Sequence, residues 1–201
     1  RWLSDWSSDV CSSDLGGQNE RMVGAALKGK RDKLMLSSKT PARTPEEMVK
    51  HLETSLSELQ TGHLDIWYLH SRSTPESVPD ELFDTQDKMK QQGKIRFRGV
   101  SLHSNLTKMI PWLVAKGRTD VILTSYNFTM DAEMDKVLKD ASDAGVGIVA
   151  MKVMAGGFRS NKPGTPIHEK LSRQGAMAAA LKWAVRNPFV HTSIPGIQDM
   201  D

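Results

Sequence analysis

A repeat along the chain constrains its fold more than any other feature. Short runs rich in Val, Ile and Leu alternate with amphipathic stretches, which is the signature of βαβ units and a parallel sheet. Six such runs can be read, over residues 33–38, 64–69, 95–101, 121–127, 147–153 and 190–194. With Lys39, His70, Ser101, Asn127, Lys152 and Ile194 as their carboxyl ends, the intervals are 31, 31, 26, 25 and 42 residues. An eight-unit barrel of roughly 250 residues allots about 31 to each unit. The period therefore favours an α/β chain of the (β/α)8, or TIM-barrel, type; a doubly wound open sheet stays open as the alternative.

The stretches between the runs carry helix signals. Thr44-Pro45-Glu46-Glu47 combines a capping box with proline at the first helical position, and Met48, Leu52, Leu56 and Leu59 then form one apolar stripe that Gly62 is expected to stop. Leu106, Met109, Ile110, Leu113 and Val114 repeat the stripe before Gly117, as do Met134, Val137, Leu138 and Ala141 before Gly145. These stripes face a core, so their methionines are packing residues. The long last interval holds Gly156-Gly157-Phe158 and Pro163-Gly164-Thr165-Pro166, and reads as a loop over the strand-end face, covering substrate or cofactor.

Residues 1–15 stand apart. They repeat Ser-Ser-Asp, have neither a signal peptide's apolar core nor a helical or strand period, and from Asp5 to Leu15 resemble a translated sequencing adapter. They are expected to be non-native and to stand outside the fold, leaving residues 16–201 as one domain. That remainder has 186 residues and no cysteine, because Cys11 is the only one in the chain. Disulfides and thiolate metal sites are thereby excluded, and a reducing, cytoplasmic setting is expected, with an export signal on a missing N-terminus left open. Removing one Arg and three Asp raises the net charge from +3 to +5, but acids and bases are interspersed and no aromatic residues alternate with the bases. No nucleic-acid partner is expected, and no run is apolar for long enough to span a bilayer. Lys28-Gly29-Lys30-Arg31-Asp32-Lys33 reads as a solvated turn.

Two ionisable groups end neighbouring runs. Lys39 follows Leu34-Met35-Leu36, and His70 follows Ile66-Trp67-Tyr68-Leu69. If the two strands adjoin, their axes are about 4.8 Å apart and both side chains reach one small volume.

Residues 16–201 resemble the aldo-keto reductase family. The resemblance rests on an ordered succession: the segment from Gly16 to Gly24, Leu34-Met35-Leu36-Ser37-Ser38-Lys39, Leu64-Asp65-Ile66-Trp67-Tyr68-Leu69-His70, Gly93-Lys94-Ile95-Arg96 leading to Gly99-Val100-Ser101, Ser125-Tyr126-Asn127, and Ser193-Ile194-Pro195-Gly196. Each motif is weak alone; six in order are specific. The resemblance implies an incomplete barrel that lacks the first two strands and the last helix. It also implies an NAD(P)H-dependent oxidoreductase acting on a small aldehyde or ketone, with NADP as cofactor carried over from the family and NAD also possible.

By that resemblance Lys39 and His70 are two of four catalytic groups, the others being an aspartate and a tyrosine upstream. Hydride arriving at a carbonyl carbon leaves negative charge on its oxygen, and a proton donor must meet it. In the family a tyrosine does so, its acidity raised by a neighbouring ammonium, while the histidine orients the oxygen. The family's tyrosine falls just before Gly16, where this chain has Leu15, so carbonyl reduction by the chain as written is expected to be impaired.

The implied cofactor residues are Ser101, which meets the nicotinamide carboxamide in the family, with His103, Tyr126, Lys152, Ile194, Pro195 and Gly196. Departures are Leu102 and His103 where the family has asparagine after the serine, Leu123 in place of a glutamine, and Met151 near the position of a stacking aromatic. Two alternatives remain: a non-catalytic subunit that binds the nicotinamide cofactor, and an aldolase using Lys39 or Lys152 as a Schiff-base nucleophile. No metal site is expected, since no zinc-binding H-E-x-x-H is present, and the lack of a phosphate-binding glycine motif after a strand disfavours a Rossmann dehydrogenase. The substrate and the oligomeric state are not legible. Six strands would leave open sheet edges, so poor solubility or swapped oligomers are expected.

Overall fold

All six apolar runs form strands. The computed structural model describes residues 2–3, 18–155 and 162–194. Numbered in chain order, the strands are β1 (Trp2–Leu3), β2 (Met35–Thr40), β3 (Leu64–Leu69), β4 (Ile95–Leu102), β5 (Val121–Ser125), β6 (Gly147–Met151) and β7 (Thr192–Ser193). Every neighbouring pair is parallel and the sheet order is the sequence order. A doubly wound sheet reverses its order part-way, and this one does not. The alternative left open by the period is thus removed, and β2–β7 form the curled wall of an incomplete (β/α)8 barrel.

Stagger confirms the curl. In register, Lys39 is level with Tyr68, Gly99, Val121 and Gly147. This row starts near the carboxyl end of β2 and reaches β6 at its first residue, the offset that tilted barrel strands require. Alternation then gives the sheet two buried faces. Ile66, Tyr68, Val121, Leu123, Val149 and Met151 pack with Phe97 and Ile194 on the inner face. Outward residues such as Trp67, Val100, Ile122 and Ile148 join the larger core beneath the helices.

Helices α1 (Gln18–Leu27), α2 (Pro45–Glu58), α3 (Asp80–Gln91), α4 (Leu106–Lys116), α5 (Ala132–Asp143), α6 (Pro166–Leu171) and α7 (Ala176–Arg186) supply that outer layer. The Thr44 cap holds, its side chain accepting from the Glu47 N–H; the Glu47 carboxylate, however, takes the N–H of Arg43 rather than that of Thr44. Gly117 and Gly145 end their helices at positive φ as expected, but Gly62 does not end α2. Gln60 takes the left-handed position instead, at φ 52°, and the Thr61 N–H closes on the Leu56 carbonyl.

Two expectations are corrected. The interval after β6 is not a plain loop, because Thr165 caps α6 ahead of Pro166 and the alanine-rich run 176–186 forms α7. Arg31 is not merely solvated: its guanidinium meets the buried Asp65 carboxylate at 3.0 Å and donates to the carbonyls of Leu34 and His63. Within residues 1–15, expected to be non-native, Trp2 and Leu3 run parallel to Met35 and Leu36. The free edge of β2 offers unpaired N–H and C=O groups to any extended backbone, whatever its side chains. No helix among the described residues is long and apolar enough to cross a membrane.

Candidate active site

Alternation decides where Lys39 goes. Ser38 and Thr40 face outwards, Ser38 donating to Glu20 of α1 at 2.8 Å and Thr40 meeting His51 of α2 at 2.9 Å. Lys39 lies between them in the pleat and in register with inward-facing Tyr68, so it belongs to the inner face at the carboxyl rim. It is buried, and no carboxylate among the described residues lies within ion-pair distance of it. Tyr68 is the phenol level with Lys39, but its ring lies over Gly99 and burial pushes its hydroxyl above the ordinary tyrosine value. That shift makes Tyr68 a weaker proton donor than an ordinary tyrosine.

His70 follows the last residue of β3, two positions beyond that row. Its N–H donates to the Thr40 carbonyl at 2.8 Å, tying the end of β3 to the end of β2. Its Nδ1 lies 3.0 Å from the Ser101 hydroxyl at the end of β4. The Ser71 N–H also donates to that hydroxyl at 3.0 Å, and the Arg72 N–H to the Ser101 carbonyl at 2.9 Å. The His103 ring stands edge-on to His70, centroids 5.4 Å apart. Lys39, His70, Ser101 and His103 are therefore gathered on the ends of three consecutive strands and the loop just past β4.

Ile194 follows β7, its N–H on the Ala150 carbonyl and its side chain against the inner cluster. Lys152 follows β6 with φ 54°, and its carbonyl accepts from the Asn127 amide at 3.1 Å. Pro195 and Gly196 lie outside the described residues. Tyr126 is not brought to the group. It follows β5 on the outward side, its ring stacked on Trp183 of α7 at 5.0 Å and its hydroxyl held between Asp135 and Asn187. Burial, with Asp135 alongside, pushes that hydroxyl up to about 12.

Two participants were missed by sequence reasoning. Ser71 adopts φ 54°, a left-handed conformation uncommon for a residue with a side chain, and nothing in a serine announces it. Arg72 is buried, donating to the Ala42 carbonyl in the loop after β2 and bracing it against the loop after β3. Burial, with Arg43 near, pushes its guanidinium down to about 10.

The Aldo/keto reductase family profile matches residues 14–176, most of the chain. This chain belongs to the aldo/keto reductase family. Among solved structures, the aldo-keto reductase AKR11C1 from Bacillus halodurans superposes with a TM-score of 0.77 at 24% identity, covering 98% of this chain and 72% of that one. The glycerol dehydrogenase AKR11B4 from Gluconobacter oxydans gives 0.74 at 20% identity, covering 96% and 71%. Both show the fold. Among curated relatives, the Bacillus subtilis oxidoreductase YqkF is 24% identical over 174 residues, 81% of this chain and 56% of that protein. The Escherichia coli methylglyoxal reductase YeaE is 36% identical over 95 residues, 46% and 33%. The chain spans about half the length of the first curated relative it matches.

Proposed function

We propose that this aldo/keto reductase chain serves hydride exchange between NAD(P)H and the carbonyl of a small aldehyde or ketone. The observation that carries this is Lys39 and His70 at one rim, on adjoining parallel strands, linked through the His70 N–H and the Thr40 carbonyl. An ammonium and an imidazole there place positive charge and a hydrogen-bond donor beside the oxygen that becomes negative as the carbonyl is reduced.

The residues of the inner rim fit a nicotinamide. Leu123, Val149 and Met151 offer an apolar floor for the flat ring, and the Ser101 and Ser125 hydroxyls lie at its polar edge. Lys152 and the segment from Ile194 to Gly196 would hold the phosphate-bearing part, with NADP the expected form. When bound, the cofactor supplies a hydride. The chain's own part is to exclude water, orient the carbonyl and hold charge beside its oxygen. Among the described residues neither tyrosine suits proton donation: burial raises the Tyr68 hydroxyl, making it a weaker acid, and Tyr126 is turned outward. The chain as written is therefore expected to be impaired.

Cofactor oxidation with a small aldehyde tests this. The chain alone should turn over at least a hundredfold more slowly than a version extended upstream with the family's aspartate and tyrosine, on the scale of a general acid's contribution. Lys39→Met should abolish activity in the extended form. Equal rates for the two lengths would overturn the impairment, and full activity of Lys39→Met would overturn the site. Borohydride trapping of a keto substrate on Lys39 would replace the reading with the aldolase.

A further inference from the structure

We infer that Ser101 is the positioning residue of His70, holding its imidazole as the tautomer protonated on Nε2. The purpose of that tautomer, an N–H aimed at a carbonyl oxygen, rests on the proposed function; the tautomer itself does not.

Proton bookkeeping gives the direction. Ser101 is fully buried, and its hydroxyl has one proton to give and two lone pairs to offer. One lone pair is committed to the Ser71 N–H, a bond with only one possible sense because a backbone N–H can only donate. The second neighbour is His70 Nδ1 at 3.0 Å. Were Nδ1 protonated, the hydroxyl would accept twice, and its own proton would find no acceptor among the described residues. With Nδ1 bare, the hydroxyl donates to it and every group is satisfied. An unmet buried hydroxyl is costly enough to bias the tautomers by about tenfold or more.

The backbone around this contact is built to keep it. Ser71 is left-handed, and that turn lets the N–H groups of two successive residues, 71 and 72, both close on Ser101, one on its hydroxyl and one on its carbonyl. An L-residue in this region is strained, and strain of this kind persists where the surroundings over-determine it. The His70 N–H on the Thr40 carbonyl anchors the other end of the turn, and His103 stands edge-on to the ring. The hydroxyl is thus more than a cofactor contact carried by resemblance. In this chain it sets which nitrogen of His70 can donate.

Long-range 1H–15N spectra of the 15N-labelled full chain read imidazole tautomers directly, with His70→Gln assigning the signal. His70 should show a protonated Nε2 and a bare Nδ1, at about ten to one or more. Ser101→Ala should shift that ratio by about tenfold towards Nδ1–H, and Ser101→Thr, which retains the hydroxyl, should restore it. If Ser101→Ala does not fold, Ser101→Cys, close in size and a weaker donor, should lower the ratio in its place. A predominantly Nδ1-protonated His70 in the native chain, or a folded Ser101→Ala or Ser101→Cys with the native ratio, overturns the inference. Because no cofactor or substrate is present, a chain that proves not to be a reductase leaves this result untouched, and the converse holds too.

Discussion

Gly99→Ala is the perturbation whose cost can be worked most directly from the structure. A Cβ built on Gly99 would lie 2.4 Å from Cδ1, 2.8 Å from Cε1 and 3.0 Å from Cγ of the Tyr68 ring. Carbon atoms in ordinary contact are about 3.5–4.0 Å apart, so the ring or the strand must move by roughly 1 Å. The contact falls on the near side of the ring rather than on a flexible tip, and Tyr68 is only 2% exposed. Overpacking at such a site costs about 1–3 kcal/mol, which for a chain of this size lowers Tm by roughly 2–4 °C per kcal/mol. The assay is a double-mutant cycle in urea: Gly99→Ala alone, Tyr68→Leu alone, and both. Tyr68→Leu removes the ring and with it the clash, so Gly99→Ala should be nearly neutral in that background, giving a coupling of about 1–3 kcal/mol. Equal losses in the two backgrounds, or a loss under about 0.5 kcal/mol in the native one, would refute the packing argument.

Two further substitutions probe the charges beneath the barrel. Asp120 is pushed from its usual 3.8 to about 2: burial would raise it, but hydrogen bonds from Arg98 and Lys90 and from the Arg98 backbone N–H outweigh that. A depressed carboxyl stabilises the fold fully at neutral pH, and its contribution, on the order of 2 kcal/mol, fades as the pH falls from about 5 towards 2. Asp120→Asn should remove that part of the acid sensitivity, and an unchanged pH profile of unfolding would count against it. Asp65→Asn should destabilise by about 3 kcal/mol or more in urea. It uncouples a carboxylate that is 1% exposed from Arg31 and Arg96 and weakens the bond from the Leu36 N–H; a loss under about 1 kcal/mol would show the pairing to be superficial.

The fold was legible because each run repeats at a spacing set by one βα unit, and the local helix signals are strong: Thr44 and Pro45, Gly117 and Gly145 all behave as their chemistry demands. What misled was distance in sequence. The Pro-Gly punctuation at 163–166 drew attention from the alanine-rich helix ten residues later, and Arg31 read as a surface charge because Asp65 lies 34 positions away. Lys39 and His70 were legible as strand ends. Tyr126 was not, because its motif carries no sign of which side of the sheet a residue past β5 takes, and Trp183 and Asp135 decide that from elsewhere. Ser71 gave no signal at all, since its left-handed backbone is imposed by Ser101 and Thr40 on either side.

Strict sequence order in the sheet divides labour along the chain. The polar cluster comes from β2, β3, β4 and the loop just past β4, whereas the apolar floor of Leu123, Val149 and Met151 comes from β5 and β6. A crossover between homologues placed between β4 and β5, near Gly117, would trade one floor for another while handing on Lys39, His70, Ser101 and His103 intact. The two halves can diversify independently, one conserving the polar cluster and the other reshaping the apolar surface beside it.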